Sequence, residues 1–238
     1  MKKLLLICLV GLTFAAVAQE QDPIVTDRPT QSAAVNTVGK NSLLIESGFI
    51  HEAVTDFVNV NSFNTLLRYG IGEKVELRFS GILNKPENES LDLGNASLGA
   101  KVHILDKEEA FINMSIIGQI NLPINEVNDE LSSELRLNFQ NQLSDRLGLS
   151  YNLGTVISEQ FEDFTPFYTL SFGFLINEEF SVFAEPYGFF LDDESDHRFN
   201  TGLIYLIKNN LQFDISGGVG LSEISPDYFL GFGAAIGF

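Results

Sequence analysis

The sequence predicts an all-β fold: a transmembrane antiparallel up-and-down β-barrel of about twelve strands, with an N-terminal periplasmic or plug segment. Three observations predict it. Apolar and polar residues alternate with period two along residues 42–238. Short polar turns alternate with longer, more acidic connections. The strands that fit between them are even in number, which returns both ends of the barrel to the periplasmic side.

The first element is a leader, residues 1–18. Lys2 and Lys3 precede an apolar run from Leu4 to Val17, and Ala16-Val17-Ala18 makes a small-residue cleavage site before Gln19. A membrane anchor would need roughly 20 apolar residues and no such exit. Cys8, the single cysteine of the chain, leaves with the leader, so disulfides, thiol catalysis and thiolate metal sites are not expected. A lipoprotein anchor would need a small residue where Ile7 stands. The expected destination is the bacterial outer membrane.

Residues 19–41 form the second element and carry no strand pattern. They are expected to start in the periplasm and fold up into the lumen, with Asp27 and Arg28 pairing with wall charges and Pro29 stiffening the turn. A flexible periplasmic tail is the alternative.

The barrel itself, residues 42–238, divides into strands near 43–52, 60–71, 75–83, 93–105, 110–122, 131–143, 147–158, 164–176, 180–191, 197–207, 211–220 and 227–238. Val75, Leu77 and Phe79 share one face, opposite Glu76, Arg78 and Ser80. In the last strand Tyr228, Leu230, Phe232, Ala234, Ile236 and Phe238 face one way, and Gly231, Gly233 and Ala235 the other. Tight turns recur near Glu73, Lys107, Asp145, Glu178 and Asn209. Pro166 and Pro186 interrupt neighbouring strands, where the lost ladder donor makes either an ordinary bulge or a weak wall open to lateral exit.

The alternation also sorts the charges. Glu46, Arg68, Glu76, Arg78, Lys101, His103, Arg136, Glu185 and Asp214 all fall opposite the apolar face. A lipid-facing Arg or Lys costs about 2–4 kcal/mol at the bilayer midplane, so these side chains belong in the lumen. Opposite signs there should pair, either as structural bridges or as a selectivity filter. Elsewhere the inner wall is small, as in Gly148, Ser150, Asn152 and Gly154, and leaves space to be filled.

Composition narrows the function. With 14 Lys+Arg against 32 Asp+Glu, the net charge of -18 excludes an electrostatic nucleic-acid binder. His51, His103 and His197 stand in no nucleophile-and-base setting, so a barrel phospholipase is disfavoured and no catalytic residue, metal or cofactor is assigned. The oxygen-rich stretch Asp192–Asp196 lacks the spacing of a calcium loop and reads as a solvated external loop. Acidic external loops should favour cations and neutral solutes, or be bridged to lipopolysaccharide by divalent cations.

Thr26-Asp27-Arg28-Pro29-Thr30-Gln31-Ser32, followed by Thr37-Val38-Gly39-Lys40 and Ile45-Glu46-Ser47-Gly48-Phe49, resembles the opening of the bacterial family of the putative meta-pathway of phenol degradation. Leu211-Gln212-Phe213-Asp214 through Ser225-Pro226-Asp227-Tyr228-Phe229 looks like the same family. The resemblance implies an outer-membrane channel or transporter for small molecules, hydrophobic or aromatic ones included, surrounded by membrane lipid. The alternative is a structural or surface-interaction barrel with a filled lumen. A terminal Phe238 with apolar residues at alternate positions resembles the strand by which assembly machinery recognises outer-membrane barrels.

Overall fold

A computed structural model of the chain describes residues 22–54, 58–86, 90–106, 112–122, 124, 131–158 and 163–238. The leader, the turn at Lys107 and parts of the loops near Thr55, Pro123 and Glu159 lie outside the described residues.

Twelve strands run in sequence: β1 (Leu43–Val54), β2 (Val58–Gly72), β3 (Val75–Pro86), β4 (Asp92–Leu105), β5 (Asn113–Leu122), β6 (Ser132–Gln142), β7 (Leu147–Ile157), β8 (Phe164–Leu175), β9 (Phe180–Phe190), β10 (Ser195–Lys208), β11 (Leu211–Gly220) and β12 (Tyr228–Gly237). Each pairs antiparallel with its sequence neighbour, and β1 pairs with β12 from Leu44↔Gly237 to Ala53↔Tyr228, closing the barrel. Closure leaves no sheet edge unpaired, which is what a sheet in hydrocarbon requires. β1 begins and β12 ends at the same rim, the periplasmic one in barrels of this kind.

The alternation in sequence becomes two chemically distinct surfaces. Outward positions carry exposed apolar side chains at mid-strand, among them Phe79, Leu98, Ile120, Leu153, Ile215, Leu230 and Phe232. So continuous an apolar belt far exceeds what a water-soluble protein exposes, and lipid is the solvent that suits it. Aromatic groups cluster at both rims of the outer face. Phe180 stacks on Tyr205 with ring centres 4.4 Å apart at the periplasmic rim, and Tyr168, Phe190 and His197 pack together at the opposite one. These are the girdles expected at membrane interfaces.

Inside, some of the small wall positions are covered by rings from adjacent strands. A Cβ on Gly154 would meet the Phe167 ring at 2.3 Å, and one on Gly218 would meet Phe229 at 2.3 Å. Glycine is needed there because an inward Phe lies across the neighbouring backbone. The space that the sequence leaves on those strands is therefore partly occupied by Phe167, Phe183 and Phe229, each almost fully buried.

Two details differ from the sequence reading. Loop length separates the rims less cleanly than expected: residues 191–194 alone join β9 to β10 at the outer rim, whereas 106–112 join β4 to β5 at the periplasmic rim. Asp196 belongs to β10 rather than to a solvated loop, because it faces inward and binds Arg198 at 2.6 Å. Pro166 lies just outside the β8–β9 ladder, which starts at Phe167↔Phe189. That ladder breaks between Thr169↔Tyr187 and Phe172↔Ala184, around Pro186, which has no N–H to donate.

If the outer face is set in lipid, Leu98→Arg should lower the unfolding free energy in urea titrations of the liposome-embedded barrel by about 2–4 kcal/mol. Outer-rim Asn61→Arg should cost about 0–1 kcal/mol.

Candidate functional site

The lumen is occupied by the chain's own N-terminal segment, residues 22–42. Ile24 N–H bonds to Asn209 O at the periplasmic rim. The segment then climbs to Pro29–Ser32 and returns past Asn36 and Val38 to a bridge between Lys40 and Gly70. Asn41 takes the left-handed conformation, φ 62°, that turns the chain into β1. Asparagine tolerates that region better than most residues.

Asp27 stands at the centre. Its carboxylate accepts from Arg78 Nη2 at 2.7 Å, from Lys101 Nζ at 3.4 Å and from the segment's own Ala34 N–H at 2.8 Å, with Arg68 Nη1 at 3.5 Å. Arg68 also donates to Glu46 at 3.0 Å and, through two nitrogens, to Glu76 at 2.9 and 3.0 Å. Arg78 reaches Glu76 at 2.8 Å. The Arg68 and Lys101 side chains are wholly inaccessible, and each also donates to segment carbonyls: Val25 and Asn36 for Arg68, Ala34 and Asn36 for Lys101. Glu46 accepts the backbone N–H groups of Asp27 and Arg28, both at 2.9 Å. Burial alone would raise the Asp27 carboxyl, but Arg68, Lys101 and Arg78 together hold it well below the usual carboxylate range.

Arg28 points the other way, across the β1–β12 seam, to Asp214 at 3.0 Å on β11 and Asn64 at 3.0 Å on β2. Gly48 and Gly233 are register partners in that seam, and a Cβ on either would meet the Arg28 guanidinium at 2.1 or 2.3 Å. The two glycines open a slot in which the guanidinium lies against backbone. At the top of the climb the peptide N–H groups of Gln31 and Ser32 donate to the fully buried Glu185, both at 2.8 Å. Ser32 Oγ bonds Thr169, Ala33 exchanges hydrogen bonds with Asn152, and Asn200 reaches Pro29 O. Glu185 precedes Pro186, so the segment docks against the interrupted stretch of the β8–β9 ladder.

The structure thus brings together Asp27, Glu46, Arg68, Glu76, Arg78 and Lys101, and separately Arg28 with Asp214, and Glu185 with the segment backbone near Pro29. Arg136 stands apart toward the outer rim, on Glu134 at 2.8 Å, over the Phe167 ring at 4.7 Å, and donating to Gln31 O. His103 is not in the cluster. It lies near the periplasmic rim, where a bulge follows it, with Nε2 at 2.7 Å from Asp106 but out of hydrogen-bond line. Sequence reasoning missed an outer-rim group in which Arg198 binds Glu52 at 2.9 Å and Asp196, while Ser225 of the β11–β12 loop also binds Asp196. Extending the period of β10 back from Asn200 would have placed Arg198 and Asp196 inward.

Residues 26–238 match the family described as "Putative MetA-pathway of phenol degradation". Among solved structures, the COG4313 outer membrane channel from Pseudomonas putida F1 is similar at 10% identity and TM-score 0.71, covering 88% of this chain and 100% of that one. The KdgM porin is similar at 11% identity and TM-score 0.58, over 81% and 99% of the two chains. The NanC porin follows at 8% and 0.56, over 82% and 98%. No curated protein matches. At these identities the structural likeness establishes the fold.

Two expectations concern the segment's attachment. Gly48→Val fills the Arg28 slot, so amide exchange at residues 27–33 of the folded barrel should accelerate by at least about tenfold. A carboxylate with a lowered pKa contributes fully above its unfolded value near ~3.9 and loses that contribution as pH falls below it toward the folded value. A nitroxide on Gln31→Cys should therefore be held immobile at pH 7 and loosen in strong acid.

Proposed function

The chain belongs to the phenol-degradation family just described, and from that membership we propose an outer-membrane channel for small organic solutes, closed at rest by its own N-terminal segment. The observation that carries the reading is that neighbouring side chains of one segment engage separate parts of the wall: Asp27 engages Arg78 and Lys101, and Arg28 engages Asp214. A segment held by hydrogen bonds and ion pairs can undock without breaking the barrel, because none of the strand ladders runs through residues 22–39. The solute range, hydrophobic and aromatic molecules included, follows the family. The reading is non-enzymatic: the inward ions are engaged with one another and with the segment rather than presented to a substrate. The half-exposed Phe238, which pairs with Leu43 at the seam, serves as the assembly signal in this reading.

The opposing interpretation, a structural barrel with a permanently filled lumen, is favoured by the number of buried pairs that hold the segment. Conductance separates the two. In planar bilayers the full mature chain should open rarely, and a chain lacking Gln19–Ser32 should give frequent, larger steps. Silence of both, from protein shown to be folded, would support the filled barrel.

A further inference from the structure

The Asp27 carboxylate is an anion carried into a cationic cradle on a removable strap. Arg68, Arg78 and Lys101 come from β2, β3 and β4, and are at most 8% exposed. The wall supplies carboxylates of its own, but they are committed. Glu76 binds Arg68 and Arg78, while Glu46 binds Arg68 and the segment's backbone at Asp27 and Arg28. Three wall cations therefore face two wall carboxylates, and the third anion is Asp27. Its removal would leave one buried positive charge uncompensated, together with a planar guanidinium edge and an ammonium already spaced to grip a carboxylate.

We propose that the Arg68–Arg78–Lys101 cradle is a binding site for the carboxylate group of a transported solute, and that Asp27 is its tethered competitor. The proposal rests on the channel reading and names the solute class. An entering small carboxylate takes the place of Asp27 on Arg78 and Lys101 and releases the segment that blocks its path. The segment has room to yield. On its far side lies a cavity of about 310 Å³ walled by Gln140, Ser150, Ser171 and Phe183, and by Thr30 and Ser32 of the segment. Neutral solutes of the same shape cannot replace the lost charge, so opening selects for the anion. The acidic outer loops make entry of anions slow, and the cradle makes their residence specific.

The test uses benzoate and its neutral isostere benzamide on the mature full-length chain in planar bilayers, in parallel with a chain lacking Gln19–Ser32. Benzoate should raise the open probability of the full chain at least about tenfold more than equimolar benzamide. In the shortened chain benzoate should give brief current blocks that benzamide does not. Arg78→Gln should abolish both effects. Should that variant not fold, mobility of the nitroxide at residue 31 with the native wall gives the same readout: benzoate frees the label and benzamide does not. Equal effects of the two probes, in channels that conduct, would overturn the carboxylate site and leave the channel intact. Silence of both chains would overturn the channel reading and the site with it.

Discussion

A charge buried in the narrow lumen of a small barrel needs a counter-charge or converging hydrogen-bond partners beside it, and around the central cations of this protein the wall does not hold enough carboxylates. Arg68, Arg78 and Lys101 need three anions, and β1 and β3 provide only Glu46 and Glu76. The remaining anion arrives on residue 27, outside the barrel strands. The same logic holds on the other side, where Asp214 receives Arg28. Breaking a buried pair by removing one partner typically costs about 3–5 kcal/mol, while the pair as a whole contributes little net stability. The charges therefore specify where the segment goes more than they strengthen the fold.

Once that position is fixed, the rest of the segment follows. With Asp27 on Arg78 and Arg28 in the Gly48–Gly233 slot, the chain between Pro29 and Ala33 is carried to β7, β8 and β9, where Glu185, Asn152 and Thr169 take up its backbone and hydroxyl groups. The barrel is built to receive it, with glycines where the guanidinium lies and short polar side chains where the backbone turns. Pro186 interrupts the wall ladder beside this contact, so the segment meets the wall where its own hydrogen bonding is thinnest.

The barrel was legible in the sequence because period-two alternation is a local property: each strand declares its two faces without reference to its partners. Strand ends were less so. Asp196 sits where a run of acidic residues reads as loop, and its pairing with Arg198 and Ser225 shows that β10 begins earlier. The inward face of Glu46, Arg68, Glu76, Arg78, Lys101, Glu185 and Asp214 was likewise readable from parity. Which charge meets which was not, because partners such as Arg78 and Asp27, or Arg28 and Asp214, are joined by register and by the path of a segment with no periodic pattern. His103 shows the limit of parity, since its place at the end of a strand puts it beside Asp106 rather than in the central network. The role of Gly48 is invisible without knowing what lies against it.

The position of residues 26–34 inside the barrel is the claim on which the whole account turns. The sequence has one cysteine, Cys8, so a pair introduced by Ala33→Cys and Asn152→Cys, with Cys8 replaced by Ser, would be the only cysteines present. Ala33 N lies 2.7 Å from the Asn152 side chain, so a short thiol-specific bifunctional reagent should join the two cysteines in intact cells, seen as a mobility shift. A control pair of Ala33→Cys with Leu98→Cys on the lipid face should not be joined. Failure of the first pair to cross-link in a correctly inserted barrel would contradict the account and return the segment to the periplasm.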